Sequence, residues 1–174
     1  MSIFFTSDNH FYHKNIIEYE RRPYKDVEEM NERMIENWNK KVKNNDDVYI
    51  LGDFSFGNGN ETNSLLESLN GRKYIVRGNH DYFLDKKDFN MDLIEWAKDY
   101  YVLKYNKMKF VLFHFPIAVW DCKHHGSIHL YGHVHSNTTT DHPLRFELFN
   151  SYNVGVDVND YMPVSIEKVL ARLI

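Results

Sequence analysis

The chain has 174 residues, 43% of them hydrophobic, and a formal net charge of −4. This length and apolar content suffice for a substantial core, so we expect a single domain over residues 1–174. No apolar stretch approaches the roughly 20 residues that span a bilayer, which excludes a transmembrane helix. The acidic balance offers no general attraction for duplex nucleic acid, although a local basic patch is compatible with it.

Two further features favour a cytoplasmic protein. Asp8 interrupts the first apolar run, and such an early charge is not typical of a signal peptide. Cys122 is the single cysteine and therefore has no internal disulfide partner. A reducing compartment is the expected location of such a chain.

Five short apolar runs are bounded by glycine and polar residues, which is typical of buried strands. These runs are Ile3–Ser7, Val48–Leu51, Tyr74–Arg77, Phe110–Phe113 and Ile128–Tyr131. Helical periodicity separates the first three of them. It predicts one helix over Asp26–Val42, with Asp26 and Glu29 arranged as a capping box. It predicts a second helix over Thr62–Asn70, which Gly71 would end.

The second half of the chain is richer in strands. We expect strands at Tyr100–Tyr105, Met108–Phe113, Phe146–Phe149 and Tyr152–Val156. Asn106 and Lys107 would form the hairpin turn between the first two of these. A last helix would follow Pro163, with Ser165 as its N-cap. Alternating strands and helices followed by hairpins predict an α/β fold with mixed sheets.

Each of the five apolar runs leads into side chains that can bind a metal. Open α/β sheets place their sites at the carboxyl ends of strands, so we expect these side chains at one common edge. The candidates are Asp8, His10, Asp53, Asn79, His114, His133 and His135. Seven oxygen and nitrogen ligands are too many for one tetrahedral ion. They suit two metals that share a bridging carboxylate.

The chemistry of this set points to phosphoester hydrolysis. Carboxylate, amide and imidazole donors without thiolate suit manganese, iron, zinc, nickel or cobalt. Two divalent ions with two carboxylates leave positive charge for an anionic phosphoester and lower the pKa of bound water. Each motif alone is more often a structural turn. Their agreement in order and at strand ends favours the metal site.

The ordered set Asp8-x-His10, Gly52-Asp53, Gly78-Asn79-His80-Asp81, His114 and Gly132-His133-x-His135 resembles the calcineurin-like metallophosphoesterase superfamily, in a small bacterial or phage-type branch. The resemblance runs from residue 4 to about residue 157. It implies a four-layer αββα sandwich of two mixed β-sheets flanked by helices. It also implies that Asp8, His10 and His135 hold a first metal, that Asn79, His114 and His133 hold a second, and that Asp53 bridges them.

The same resemblance assigns His80 a catalytic role, in which it stabilises the phosphoryl charge or protonates the leaving oxygen. A histidine that Asp81 holds to stiffen the loop is the structural alternative. In the protein-phosphatase branch a second Asp orients this histidine, and Phe56 occupies that position here. The departure argues against protein-phosphatase activity. It leaves the orientation of His80 to a backbone carbonyl or to Asp81.

Peripheral residues are less well determined by the sequence. We predict substrate contacts for His13 and Arg22, since an arginine can bind phosphate oxygens with two hydrogen bonds. Aromatic residues also flank the site, at Phe11, Tyr12, Phe54 and Phe56. They would stack on a nucleobase or aryl leaving group or simply pack the core, and packing is the simpler interpretation.

The combined prediction is a cytoplasmic dinuclear phosphoesterase that attacks phosphorus with a metal-bridging hydroxide. Two divalent ions are its cofactors, manganese before iron, zinc, nickel or cobalt. The expected partner is a small-molecule phosphoester, with nucleotide-like phosphodiesters preferred to monoesters and no membrane. One alternative is a nuclease acting on DNA or RNA ends, although nucleic acid is not favoured. Another is a non-catalytic metal-binding interaction scaffold, which the retention of His80 argues against.

Overall fold

A computed structural model describes residues 1–136 and 149–173. The strands of the described residues are β1 (Ile3–Thr6), β2 (Asp47–Ile50), β3 (Arg72–Val76), β4 (Trp96–Lys98), β5 (Tyr101–Tyr105), β6 (Met108–Leu112), β7 (Ile128–Tyr131), β8 (Ser151–Asn153) and β9 (Val164–Ser165). The helices are α1 (Ile16–Tyr19), α2 (Val27–Lys41), α3 (Gly59–Ser68) and α4 (Ile166–Leu173). None of these helices combines the length and apolarity that crossing a membrane requires.

The strands form two mixed sheets. The first has the order β4-β3-β2-β1-β9, in which β1 to β4 are parallel and β9 runs antiparallel to β1. The second has the order β5-β6-β7-β8, in which only the β5–β6 pair is antiparallel. Asn106 and Lys107 join that pair with φ of 47° and 66°, the left-handed backbone of a tight hairpin turn. The α/β fold with mixed sheets is confirmed.

Helix α2 lies where the periodicity predicts it. Asp26 accepts a hydrogen bond from the backbone N–H of Glu29, at 2.8 Å. The Glu29 carboxylate, however, accepts from the N–H of Lys25 and not from that of Asp26. Only half of the predicted capping box is therefore formed.

Helix α3 begins at Gly59, three residues before the predicted start at Thr62. Asn58 and Glu61 form a complete capping box, since each side chain accepts a hydrogen bond from the other residue's backbone N–H. The sequence around these residues, Gly57-Asn58-Gly59-Asn60, is rich in glycine and asparagine, which is typical of a turn. Capping by side chains starts the helix there instead.

Two hydrophobic cores lie on opposite faces of the first sheet. Phe4 and Val48 face α2 and α3, where they join Trp38 and Leu66. The alternate residues of the same strands face the second sheet, so Phe5 joins a cluster that includes residues of β6, β7 and α4. This period-two alternation places one sheet between helices and the other sheet.

The outer face of the second sheet is covered more thinly. Residues 113–127 pass over it with a single 3-10 turn at Lys123–His125. The Trp120 ring lies 5.1 Å from the ring of buried His129, which belongs to β7. Among the described residues, this irregular segment forms the fourth layer.

The predicted strand Phe146–Phe149 falls almost entirely in 137–148, outside the described residues. The strand predicted at Tyr152–Val156 is the shorter β8.

Candidate metal centre

The predicted ligands follow the carboxyl ends of β1, β2, β3, β6 and β7, and short hydrogen bonds join these loops. The N–H groups of Asp8 and His10 donate to the carbonyl oxygens of Gly52 and Asp53, both at 3.0 Å. The N–H of His133 donates to Asp8 Oδ2 at 2.9 Å, which connects the edges of the two sheets. Five strand ends from two sheets thus converge on one place.

Two groups of ligand atoms lie at this edge. Asp8, His10 and His135 form the first group, and their potential ligand atoms lie within 4.8 Å of one another. Asp53, His114 and His133 form the second group by the same measure. Asn79 lies beside the second group, because its Oδ1 is 3.0 Å from His114 Nε2. The structure therefore brings together all seven residues that the sequence singled out.

Asp53 stands between the two groups. Its Oδ2 is 3.8 Å from His10 Nε2 of the first group and 3.6 Å from His114 Nε2 of the second. Its Oδ1 accepts a hydrogen bond from the N–H of His80 at 2.8 Å, which fixes the carboxylate plane. One oxygen atom is therefore directed at both groups.

The arrangement fits divalent cations. Among the described residues, His10 Nε2 is a buried side-chain nitrogen without any hydrogen-bond partner. A buried polar atom normally has a partner, so an unpaired nitrogen that faces a carboxylate indicates a site for a cation. Burial is also the main cause that raises the pKa of the Asp8 carboxyl, although His135 and His114 oppose it. A bound cation would stabilise the ionised carboxylate.

The ligand loops have unusual backbone conformations. Five of the seven candidates have left-handed φ angles, which are 55° for Asp8, 54° for His10, 52° for Asp53, 68° for His133 and 45° for His135. Such angles cost non-glycine residues on the order of 1–3 kcal/mol each, and they concentrate at functional sites. At Gly132, an added Cβ would overlap the Ser7 hydroxyl and the Asp8 carboxylate. Only glycine allows the close approach between the two sheet edges.

A buried ion pair supports the first group. Asp157 Oδ2 accepts a hydrogen bond from His135 Nδ1 at 2.8 Å. Arg22 binds the same carboxylate with two hydrogen bonds, of 2.8 and 3.0 Å. Its guanidinium also donates to the backbone oxygens of Asn9 and Asp8, at 2.8 and 2.7 Å. This chain of contacts orients His135 and leaves its Nε2 facing Asp8.

The position of Arg22 corrects the prediction of a substrate contact. The residue is only 3% exposed, and all three of its nitrogens donate to protein atoms. It therefore cannot offer free donors to a phosphate.

The sequence analysis missed Asp157 as part of the site. The signal was present, because an aspartate follows the apolar Val154-Gly155-Val156 at the end of the second sheet.

The charges in this network reinforce one another. Burial lowers the pKa of His135, but the hydrogen bond to Asp157 and the Asp8 carboxylate outweigh it, so the pKa is raised overall. Burial raises the pKa of Asp157, but His135 and Arg22 outweigh it, so that pKa is lowered. The lowered pKa favours an ionised Asp157 carboxylate, which pairs with the Arg22 guanidinium and accepts the hydrogen bond from His135.

His13, for which the sequence predicts a substrate contact, lies against the first group. Its Nδ1 is 2.9 Å from His10 Nδ1, so one ring donates a hydrogen bond to the other. Burial, followed by neighbouring cationic groups, lowers the pKa of both rings. The Phe56 ring stacks over the pair, with its centroid 4.0 Å from that of His13 and 4.9 Å from that of His10.

The second group is supported mainly by backbone atoms. His114 Nδ1 donates to the carbonyl oxygen of Leu51 at 2.8 Å, which directs its Nε2 towards Asn79 and Asp53. Asp81 accepts hydrogen bonds from the N–H groups of Asp53, Phe54 and Gly78, at 3.0, 2.8 and 2.8 Å. Burial raises the pKa of Asp81 to about 6, and the N–H groups of Gly78 and Phe54 oppose it.

These contacts decide how His80 is oriented. Both Asp81 carboxylate oxygens accept hydrogen bonds from the backbone of the ligand loops, which argues against the alternative that Asp81 orients His80. The His80 ring instead contacts Phe56 at 5.1 Å and Tyr82 at 6.1 Å between centroids. Phe56 thus lies beside His80 in the position where the protein-phosphatase branch has an aspartate.

A sequence profile of the calcineurin-like phosphoesterase family matches residues 1–160, and the chain belongs to this family. An uncharacterized protein of Methanocaldococcus jannaschii is 39% identical over 170 residues, which are 97% of this chain and 89% of that protein. The gene 66 protein of Mycobacterium phage L5 is 39% identical over 83 residues, 44% of this chain and 38% of the phage protein.

A solved structure agrees with the fold over its full length. The protein of unknown function AQ665 from Aquifex aeolicus aligns with a TM-score of 0.77 and 28% identity, covering 99% of both chains. Family membership together with the site defines the class of enzyme. The chain is a metal-dependent phosphoester hydrolase.

Proposed function

We propose that the protein hydrolyses phosphodiesters with two divalent cations, one held by each ligand group and both bound by Asp53. The observation that supports this proposal is the position of Asp53 Oδ2, within 3.8 Å of His10 Nε2 and 3.6 Å of His114 Nε2. A carboxylate oxygen at comparable distances from both groups is the contact that a shared ligand requires. Phosphomonoesters would be poorer substrates.

Two divalent ions in this position would polarise the P–O bonds and lower the pKa of a water molecule from about 15.7 towards about 7. The protein's own residues position the substrate. His80 is held at its backbone by Asp53 and at its ring by Phe56, beside the first ligand group. It donates a proton or a hydrogen bond to the leaving oxygen. His13 is a candidate contact for a phosphate oxygen.

The donor set favours manganese, because carboxylate and amide oxygens accompany the imidazoles. Small, nucleotide-like phosphodiesters are the proposed substrates, and the cytoplasm is the proposed location. The formal net charge of −4 argues against a nuclease that grips long nucleic acid electrostatically.

The test begins with elemental analysis of the purified protein, for which we expect two transition-metal ions per chain. Hydrolysis of bis(p-nitrophenyl) phosphate and p-nitrophenyl phosphate is then measured with manganese, nickel, zinc and magnesium. We expect the diester to be hydrolysed faster, and fastest with manganese. A single bound ion would refute the dinuclear proposal. Faster hydrolysis of the monoester would refute the substrate preference.

A further inference from the structure

A strip of aromatic rings borders the first ligand group. In order of contact, this aromatic strip consists of Tyr19, His13, Phe56, His80 and Tyr82. Consecutive ring centroids lie 6.3, 4.0, 5.1 and 6.1 Å apart. The candidate ligand His10 contacts the three inner rings, with centroids at 5.2, 4.9 and 6.3 Å. The aromatic strip therefore passes directly beside the metal centre.

The two ends of the aromatic strip are exposed. Tyr19 and Tyr82 are each 62% accessible to solvent. Packing explains Phe56, which covers the His10–His13 pair, but it does not explain tyrosines that leave most of their surface in water. Exposed tyrosines are typical of binding surfaces, because they offer a rigid apolar face with a polar tip. The ends of the aromatic strip thus require a different explanation from its centre.

We propose that the aromatic strip is a substrate subsite that stacks a planar aromatic substituent of a phosphodiester, such as a nucleobase. This inference rests on the proposed function, which places the phosphate beside His10. Because His10 contacts the middle of the aromatic strip, a phosphodiester bound there can direct one substituent towards Tyr19 and the other towards Tyr82. Stacking on aromatic side chains accepts any base, since every base has a π-face.

Charge does not account for recognition at these positions. Glu18, Glu20 and Arg21 surround Tyr19, and the exposed Asp85, Lys86, Lys87 and Asp88 follow Tyr82. Neither end of the aromatic strip therefore has an excess of positive charge, and what the two ends share is the exposed ring. A ligand that contacts both ends is recognised by its planar groups. Mononucleotide esters, dinucleotides and short single strands all share this chemistry.

A matched pair of substrates tests the proposal. Bis(p-nitrophenyl) phosphate and methyl p-nitrophenyl phosphate have the same leaving group and differ only in the second ring. We expect the double variant Tyr19→Ala/Tyr82→Ala to lower the ratio of their kcat/KM values about tenfold, through a higher KM for the diaryl ester. The variant Tyr19→Phe/Tyr82→Phe should keep the wild-type ratio. A ratio unchanged within about twofold in the alanine variant would overturn the subsite.

Phe149→Ala is the matched control, because Phe149 is 69% exposed and precedes β8, at the end of that strand opposite to the metal centre. It should leave the ratio unchanged. If Phe149→Ala lowered the ratio of kcat/KM values as much as the tyrosine double variant does, loss of any exposed aromatic ring would explain the effect. That result would overturn the assignment of the aromatic strip as a subsite.

Direct binding separates this proposal from the proposed function. A dinucleoside monophosphate is titrated by calorimetry into manganese-loaded wild type and into the alanine double variant, with about tenfold weaker binding expected for the variant. If wild type hydrolyses neither ester but this difference remains, the proposal of phosphodiester hydrolysis fails and the subsite stands. Equal affinities overturn the subsite. A single-stranded oligonucleotide that binds more tightly, with a steep salt dependence, identifies nucleic acid as the source of the planar groups.

Discussion

The two ligand groups of the metal centre are held by different kinds of contact. In the first group, side chains from distant segments orient the ligand, since Asp157 binds His135 and Arg22 binds Asp157. In the second group, the backbone dominates, because His114 donates to the Leu51 carbonyl oxygen and Asp81 binds three N–H groups. Asp53 is common to both groups.

This difference has an energetic consequence. Removing one member of a buried ion pair leaves an uncompensated charge and typically costs about 3–5 kcal/mol. A backbone carbonyl, in contrast, persists through side-chain substitution. The first group should therefore be the more sensitive to mutation of its supporting residues. Asp157→Asn and Asp81→Asn test this comparison directly, and Asp53→Asn and His80→Ala test the shared ligand and the neighbouring histidine.

The largest effect is expected from Asp53→Asn, which removes the charge that both groups share. We expect loss of both metal ions and a fall in turnover of at least about 10³-fold. Metal content by elemental analysis and the rate of diester hydrolysis measure this. The exposed Asp92→Asn is the matched control and should change neither. Retention of two ions by Asp53→Asn would contradict the bridging role.

His80→Ala should separate catalysis from metal binding. His80 contacts the first group through ring packing and is not among the candidate ligands, so we expect both ions to remain. The rate should fall about 10²- to 10⁴-fold, as is usual when a proton donor is removed. Single-turnover kinetics on the metal-loaded variant would measure the loss. Wild-type turnover would rule out the catalytic role.

Asp157→Asn should weaken the first group alone. The amide can still accept a hydrogen bond from His135, but it no longer neutralises Arg22. We expect affinity for one of the two ions to fall about 10- to 100-fold, while the other ion binds as in wild type. Competition with a metal-binding dye would resolve the two affinities. An equal loss at both sites would refute independent support of the groups.

Asp81→Asn should have the smallest effect. Its amide group has one acceptor oxygen, so at least one of the three N–H groups loses its partner. We expect the metal-free protein to lose about 1–3 kcal/mol of unfolding free energy, measured by denaturant titration. Because the second group also relies on the Leu51 carbonyl oxygen, His114 should retain its orientation. A fall in metal affinity as large as that of Asp157→Asn would remove the contrast between the groups.

Phe56, which lies beside His80, shows how much of the site the sequence alone could predict. The departure at Phe56 was visible in the sequence and correctly left the orientation of His80 open. The local sequence could not decide whether Asp81 binds the neighbouring His80 ring or other groups. Its carboxylate can accept hydrogen bonds from either, and only the folded structure shows that it binds backbone N–H groups. The three backbone donors that it binds come from two different loops.

The sequence by itself determined which residues follow strand ends and therefore which side chains gather at one edge. It did so because buried strands have a short apolar pattern and parallel strands present their carboxyl ends together. Tertiary structure alone decided the support of these ligands. Arg22 and Asp157 are 135 positions apart, and their pairing requires both sheets to be packed. Local patterns carry no signal for a contact between side chains that only the assembled fold brings together.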